Sequence, residues 1–221
     1  MNKTVEINSV GSSVTLLFQA KYATFTPDQF NRAFRDRNFT LTQGPASISS
    51  NPAARQVQTA YFSKDNLIVF YNANENLIIF QIVNTLDFNQ LYETEIKRIL
   101  VDLNFVEEAA NMIGLECTTR VRSQKSPNDS LTSLVKNEFL QNVNKIVGLN
   151  DLGVFTITLN STKPLEESLR ITLEPLVTDP TGTYIVALIY RTNQTSKFNE
   201  FVTRFGVDMV KSLAMEASKY V

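Results

Sequence analysis

The side chains best placed to do chemistry in this sequence are three pairs of closely spaced carboxylates, which could bind a divalent cation or share acid and base roles. The pairs are Glu93 with Glu95, Glu107 with Glu108, and Glu166 with Glu167. The first two pairs fall in a predicted helix, where residues one or two positions apart do not share a face. The third pair falls in a connection or at a strand edge. We expect solvated surface charge at all three, and a divalent-metal carboxylate enzyme is the third of three functional hypotheses.

The sequence offers few residues for nucleophilic or general-base catalysis. The chain contains no histidine, so no Ser-His or Cys-His pair and no histidine-containing metal site can form. Cys117 is the only cysteine, and its alternating strand pattern predicts a small buried hydrophobic residue. The seven glycines stand singly, so neither phosphate-binding glycine motif occurs. The sequence therefore predicts no catalytic residue and no cofactor.

Basic side chains supply the candidate site residues. Arg120, Arg122 and Lys125 lie near one end of a predicted strand, and Arg170 lies on the polar side of another. A basic sheet surface can bind nucleic acid, usually together with exposed aromatic rings that stack on the bases. No aromatic residue is evident on the face of these side chains. A second basic cluster lies on the first predicted helix: Arg32, Arg35 and Arg37.

The composition of the 221 residues is that of a globular protein with a sizeable core, with 43 % hydrophobic residues and 15 Phe. The formal net charge of −1 gives no long-range attraction to nucleic acid or to anionic lipid. The first residues form no apolar stretch like a signal peptide, and no segment has the length of a transmembrane helix. Together with the single cysteine, this predicts a cytoplasmic protein without a membrane partner.

The elements that must position these side chains follow from hydrophobic periodicity. Strands are expected at residues 14–18, 57–62, 67–71 and 77–83, with a capped helix opening at Thr26 and a long surface loop over residues 40–55. From Phe88 the apolar period changes to 3.6, which predicts a long helix through Ala110 that ends at Gly114.

The order then repeats. Residues 115–122 form a predicted strand, and a helix carrying residues 131–146, including Ile146 on its apolar side, follows. Strands are expected at residues 154–159, 169–173 and 184–190, with a turn at residues 179–182 and a final helix from Phe198. We therefore predict an α+β fold made by tandem duplication of a β-α-β-β-β-α unit, with antiparallel sheets carrying helices on one face. The two repeats are residues 1–112 and 113–221.

The last strand of each repeat is apolar on both sides. Residues 77–83 and 184–190 lack a polar face, so both are expected to be buried on both faces of a sheet. The covering surface is expected to be the other repeat, which we favour, or else a second copy of the chain, the curvature of the sheet itself, or an apolar ligand.

The tandem layout resembles that of the TATA-box-binding protein family, whose two repeats form a saddle over DNA. The resemblance implies a comparable arrangement of sheet and helices, whereas the near-neutral charge argues against the same function. Our leading functional hypothesis is a non-enzymatic protein-binding or assembly module, with protein partners or self-association. The alternative is a nucleic-acid-binding protein that uses a polar or basic sheet face.

Overall fold

The computed structural model shows an α+β protein dominated by one large antiparallel sheet of nine strands. It describes residues 5–21, 32–43, 59–72, 75–83, 88–105, 110–123, 132, 137–147, 156–161, 167–176, 178–205, 209 and 212–213. The strands are β1 (Val5–Ala20), β2 (Thr40–Gln43), β3 (Thr59–Lys64), β4 (Leu67–Asn72), β5 (Leu77–Val83), β6 (Ala110–Ser123), β7 (Ile157–Asn160), β8 (Glu167–Leu176) and β9 (Asp179–Thr192).

The described helices are few and short. They are α1 (Phe88–Leu91), α2 (Lys97–Asp102), α3 (Asn137–Val147) and α4 (Thr195–Arg204). A π-helical turn, Tyr92–Ile96, joins α1 to α2 without a break. Residues 32–35 are also helical, whereas the predicted helix cap at Thr26 lies outside the described residues.

The strand order across the sheet is β2-β3-β4-β5-β1-β6-β9-β8-β7. The two long strands β1 and β6 pair antiparallel at its centre, with a register shift between Asn8 and Ser13. On one side β1 is followed by β5, β4 and β3, and on the other β6 is followed by β9, β8 and β7. Each of the strands predicted to be doubly buried therefore lies inside the sheet, next to a central strand.

The hydrophobic core lies against one face of this sheet. Phe18 on β1 is 1 % exposed and meets the rings of Phe80, Phe105 and Phe198 edge to face at 5.5 to 5.8 Å. Tyr190 on β9 stacks on Phe201 of α4 with 3.9 Å between ring centroids. The buried residues form one continuous cluster with side chains from every strand except β2 and β7, whose Leu41 and Ile157 are partly buried against it. Both halves of the sheet therefore share a single core.

The other face of β5 and β9 is not buried, so the prediction of two doubly buried strands is wrong. On β5, Ile78, Phe80 and Ile82 are buried, while Gln81 is exposed and Ile79 is half-buried. On β9 the buried side chains alternate with others that are half-buried or exposed. Apolar residues are found on both sides of a strand because of local β propensity as well as because of burial. The pattern alone therefore predicted, wrongly, that both faces are buried.

The predicted helix from Phe88 to Gly114 ends early. Asn104 adopts a left-handed conformation with φ 54°, the N–H of Asn104 donates to Val101 O at 2.9 Å, and the N–H of Phe105 donates to Leu100 O at 2.9 Å. This is a Schellman motif with asparagine in the position that glycine usually takes. The chain then enters β6 at Ala110, so Gly114 lies within a central strand rather than at a helix end. The predicted boundary between repeats falls inside the same strand.

Three further expectations are corrected. The predicted loop over residues 40–55 begins as strand β2, because Leu41 and its neighbours pair with β3. The turn predicted at residues 179–182 is part of β9, whose Asp179 pairs with Leu176 of β8. Ile146, expected on an apolar helix face, is 83 % exposed.

Tyr92, at the start of the π-helical turn, makes the stability of the fold depend on pH. It is 2 % exposed, and its hydroxyl donates to Asn199 Oδ1 of α4 at 2.7 Å. Burial, and secondly the charge of Glu93, raises the pKa of Tyr92 above its ordinary value of 10.0. Above pH 10 the unfolded chain loses this proton while the folded chain keeps it. The stability due to Tyr92 is therefore complete below pH 10 and declines as the pH rises beyond it.

We expect the variant Tyr92→Phe to change this pH dependence. Between pH 10 and 11 the unfolding free energy of the native protein should fall more steeply than that of the variant, by up to about 1.4 kcal/mol per pH unit. At pH 8 the variant should instead be the less stable protein by about 1 kcal/mol, because the hydrogen bond to Asn199 is lost. Urea unfolding at pH 8, 10 and 11 measures both differences, and parallel curves for the two proteins would refute the assignment.

Candidate functional site

The face of the sheet opposite the core, here called the open face, is the main candidate surface. Strand pairing brings side chains of seven strands into one row across it: Tyr61, Phe70, Ile79, Leu17, Gly114, Arg191 and Ser168. Directly paired residues in an antiparallel sheet point to the same side. Apart from Gly114, every member of the row is half-buried or exposed. The row crosses both halves of the sheet.

One half of the open face, formed by β3, β4, β5 and residues 13–19 of β1, carries no charge among its described side chains. On β3, β4, β5 and β1, its described side chains are Tyr61, Ser63, Ile68, Phe70, Asn72, Leu77, Ile79, Gln81, Val83, Ser13, Thr15, Leu17 and Gln19. Ile68 is 36 % exposed, and the rings of Tyr61 and Phe70 lie with their centroids 4.8 Å apart. This uncharged half combines aliphatic and aromatic surface with short polar side chains.

The other half carries the predicted arginines. Arg120 and Arg122 are exposed on β6, and Arg170 is exposed on β8. Arg170 Nε donates to Asn160 Oδ1 at 3.0 Å, which fixes the guanidinium along the face. Lys125 lies outside the described residues.

These arginines share a face but do not form one cluster. Arg120 pairs across the strands with Ile185, and Arg170 pairs with Ile189. Four residues along β9 correspond to about 13 Å, and the two strand spacings between β6 and β8 add about 10 Å at right angles. Carboxylates also lie among them, since Glu116 on β6 accepts a hydrogen bond from Arg191 at 3.0 Å. The charged half therefore has mixed sign and widely spaced cations.

The aromatic pair Tyr61 and Phe70 was missed on this face. The sequence does not show which strands pair with β3 and β4. The position of Tyr61 and Phe70 relative to Arg120 depends on that long-range pairing, so it could not be predicted. Alternation within β3 and β4 does indicate that both residues lie opposite the buried Phe62 and Val69. That signal alone could have placed them on the less buried side.

The remaining chemical candidates have ordinary structural roles. Cys117 is 4 % exposed and lies 3.5 Å from Thr119 Oγ1, and burial raises the pKa of its thiol, so the prediction of a buried cysteine is confirmed. Glu93 pairs with Lys97 at 2.7 Å, while Glu95 pairs with Lys64 at 2.9 Å. Because Glu93 and Glu95 form ion pairs with different lysines, they do not form a shared metal site.

The last carboxylate pair is described for one member only. Glu167 accepts a hydrogen bond from the hydroxyl of Tyr190 at 2.8 Å. Its partner in the sequence, and the pair at residues 107 and 108, lie outside the described residues. Glu167 therefore supports the packing of β8 on β9.

Comparisons of the chain with protein-family models and with curated proteins found no match. Among the described helices, none has the length and apolar character needed to cross a membrane.

Proposed function

We propose that this protein is a non-enzymatic assembly module in which the uncharged half of the open face binds a second copy of the chain. The observation that carries the proposal is a contiguous surface in which aliphatic and aromatic side chains alternate with uncharged polar ones, and none of its described members is charged. Removing such a surface from water is favourable in proportion to its apolar area. A protein with this surface therefore gains stability by covering it.

A second copy fits this surface because the patch is complementary to itself. In a two-fold symmetric dimer the same patch meets its own copy, so an uncharged patch meets an uncharged patch and no like charges are brought together. A contact centred on the charged half would instead bring arginines such as Arg120 towards each other. The patch is four strands wide, about 19 Å at the usual strand spacing. That size belongs with small interfaces, so the dimer should dissociate on dilution.

The same proposal includes the tandem duplication. The strand order is symmetric about the β1–β6 pair, since β5, β4 and β3 are matched by β9, β8 and β7. Rings of α4 and of the helical residues 32–35 contact the core face at Phe18 and Phe62, which supports helices on one side. Two related units with helices on one face leave a long open face on the other.

The variant Ile68→Lys tests the self-association. Ile68 is 36 % exposed in the middle of the patch, so lysine is tolerated in the monomer, whereas a dimer would bury an unpaired ammonium group. We expect the dimer dissociation constant to rise at least about tenfold. Sedimentation velocity over a range of protein concentrations measures this constant.

Val101→Lys is the matched control, because Val101 is an aliphatic residue of α2 that is 75 % exposed and lies outside the open face. It should associate like the native protein. A native protein that stays monomeric at every concentration, or an equal effect of the two variants, would refute the proposal. Circular dichroism of both variants checks that the fold is intact.

A second function, nucleic-acid binding, is favoured by one observation. The aromatic pair Tyr61 and Phe70 lies on the same face as the exposed Arg120 and Arg170, and single-stranded nucleic acids are bound by such combinations of rings and cations. Titration of labelled single- and double-stranded oligonucleotides at increasing salt separates the two functions, because phosphate contacts weaken as salt rises. Absence of binding at low salt would remove this second candidate.

A further inference from the structure

A cleft of about 530 Å³ lies on the helical side of the sheet, away from the open face. Its apolar walls are formed by Phe18, Tyr92, Leu100 and Phe105, and Asn199 of α4 adds an amide. Small-molecule sites usually have volumes of about 300 to 1,000 Å³, with mostly apolar walls and a few polar groups that orient the ligand. The cleft meets this description by both size and lining.

The π-helical turn places cationic side chains at the edge of the cleft. The backbone N–H of Lys97 donates a hydrogen bond to Tyr92 O, five residues earlier in the chain, so the turn contains one residue more than an α-helical turn. Tyr92, Lys97 and Arg98 all line the cleft as a result. Single π turns inside α-helices occur frequently at functional sites. Here the turn joins a buried ring to two cations within one helix.

Of these cations, Arg98 is the one available to a ligand. Lys97 is held by Glu93 at 2.7 Å, and Arg37, which also lines the cleft, is held by Asp102 at 2.6 Å. Arg98 is exposed and forms no ion pair with any residue that the structure describes. An exposed guanidinium beside an apolar cleft matches a ligand that has one anionic group and one apolar part.

A polar cleft of about 520 Å³ adjoins the first one and has Arg37, Arg98 and Asp102 in common with it. Arg32 lines the polar cleft only, which separates the two sites experimentally. Thr195 at the start of α4 lines the apolar cleft, and its buried hydroxyl has no hydrogen-bond partner among the residues that the structure describes.

We propose that the apolar cleft binds an aliphatic carboxylate, with the hydrocarbon chain against Leu100, Val101 and Phe105 and the carboxylate on Arg98. A guanidinium and a carboxylate form two parallel N–H···O bonds, which fixes the orientation of the ligand. Each buried CH₂ group adds about 0.8 kcal/mol of favourable free energy. Chain length therefore controls affinity, while Arg98 controls the preference for acids over alcohols.

Isothermal titration calorimetry of the full chain with decanoate, below its micelle concentration, tests this proposal. We expect saturable binding of decanoate and at least about tenfold weaker binding of decan-1-ol, which has the same chain without the charge. Arg98→Gln should weaken decanoate binding about tenfold and leave the affinity for decan-1-ol unchanged. Circular dichroism confirms that the variant is folded.

Two further variants locate the site. Arg32→Gln removes an equal charge from the polar cleft alone, and Ile68→Lys changes the open face, so both should bind decanoate like the native protein. No binding by the native protein would overturn the proposal, as would equal affinities of Arg98→Gln and the native protein. Loss of binding in Arg32→Gln or Ile68→Lys would overturn it by placing the ligand elsewhere. Because self-association depends on the open face, a negative result here leaves the assembly proposal intact.

Discussion

Replacement of Phe18 by alanine should lower the free energy of unfolding by about 3 to 5 kcal/mol, the range observed for phenylalanine in well-packed cores. Phe18 is 1 % exposed at the centre of β1 and contacts three other rings, on β5, after α2 and on α4. The substitution removes all three ring contacts and leaves a cavity where the two halves of the sheet share their core. Urea unfolding followed by far-ultraviolet circular dichroism measures the loss.

The shape of the unfolding transition is the sharper part of this prediction. Because one cluster of buried residues includes both halves of the sheet, Phe18→Ala should shift a single transition without splitting it. Phe70→Ala, which removes a half-buried ring of the open face, is the control. It should lower the free energy of unfolding clearly less than Phe18→Ala does. Two separate transitions in Phe18→Ala would mean that the halves unfold as independent domains.

A second large loss of stability is expected for Tyr190→Ala, again about 3 to 5 kcal/mol. Tyr190 is 1 % exposed on β9, where its ring stacks on Phe201 with planes 5° apart. Its hydroxyl donates to Glu167 Oε1 at 2.8 Å, so this one side chain connects β9, α4 and β8. Thermal or urea unfolding should show that this substitution in the second half of the sheet also destabilises the first half.

Tyr190→Phe separates the ring from the hydroxyl. This variant keeps the stacked ring and loses the hydroxyl, which donates to Glu167 Oε1 and more weakly to Lys197 O at 3.4 Å, so a loss of about 1 kcal/mol in the free energy of unfolding is expected. If Tyr190→Phe lowers the free energy of unfolding as much as Tyr190→Ala does, the stabilisation comes from the hydroxyl. In that case the packing of α4 on the sheet through this ring does not explain it. If both variants unfold like the native protein, the contact between Tyr190 and Phe201 is not part of the stable core.

The strands predicted best are those with strong local signals. β4 and β5 are runs of β-branched and aromatic residues that end at asparagines, and Asn76 in the turn between them has the left-handed φ of 50° that asparagine tolerates. β2 was missed because Thr40–Gln43 is short and largely polar, and its strand conformation comes from pairing with β3. The end of the long helix was misplaced because Asn104 replaces the expected glycine.

The candidate surfaces were less predictable than the strands. Arg120, Arg122 and Arg170 were identified from charge and alternation, and each is exposed on the expected side of its strand. Their spacing, and the presence of Tyr61 and Phe70 on the same face, depend on a strand order in which the first and sixth strands meet at the centre. No local pattern encodes that order. The apolar cleft likewise joins residues far apart in the sequence, such as Phe18, Arg98 and Thr195.

The two outermost described strands affect how copies of this protein can meet. β2 and β7 have four residues each, and they form the ends of the sheet. A short edge offers few unpaired N–H and C=O groups, so it is a poor template for adding the strand of another molecule. Growth into fibres by strand addition is therefore disfavoured at both ends. Copies that associate should therefore do so through a face of the sheet and not by adding strands at β2 or β7.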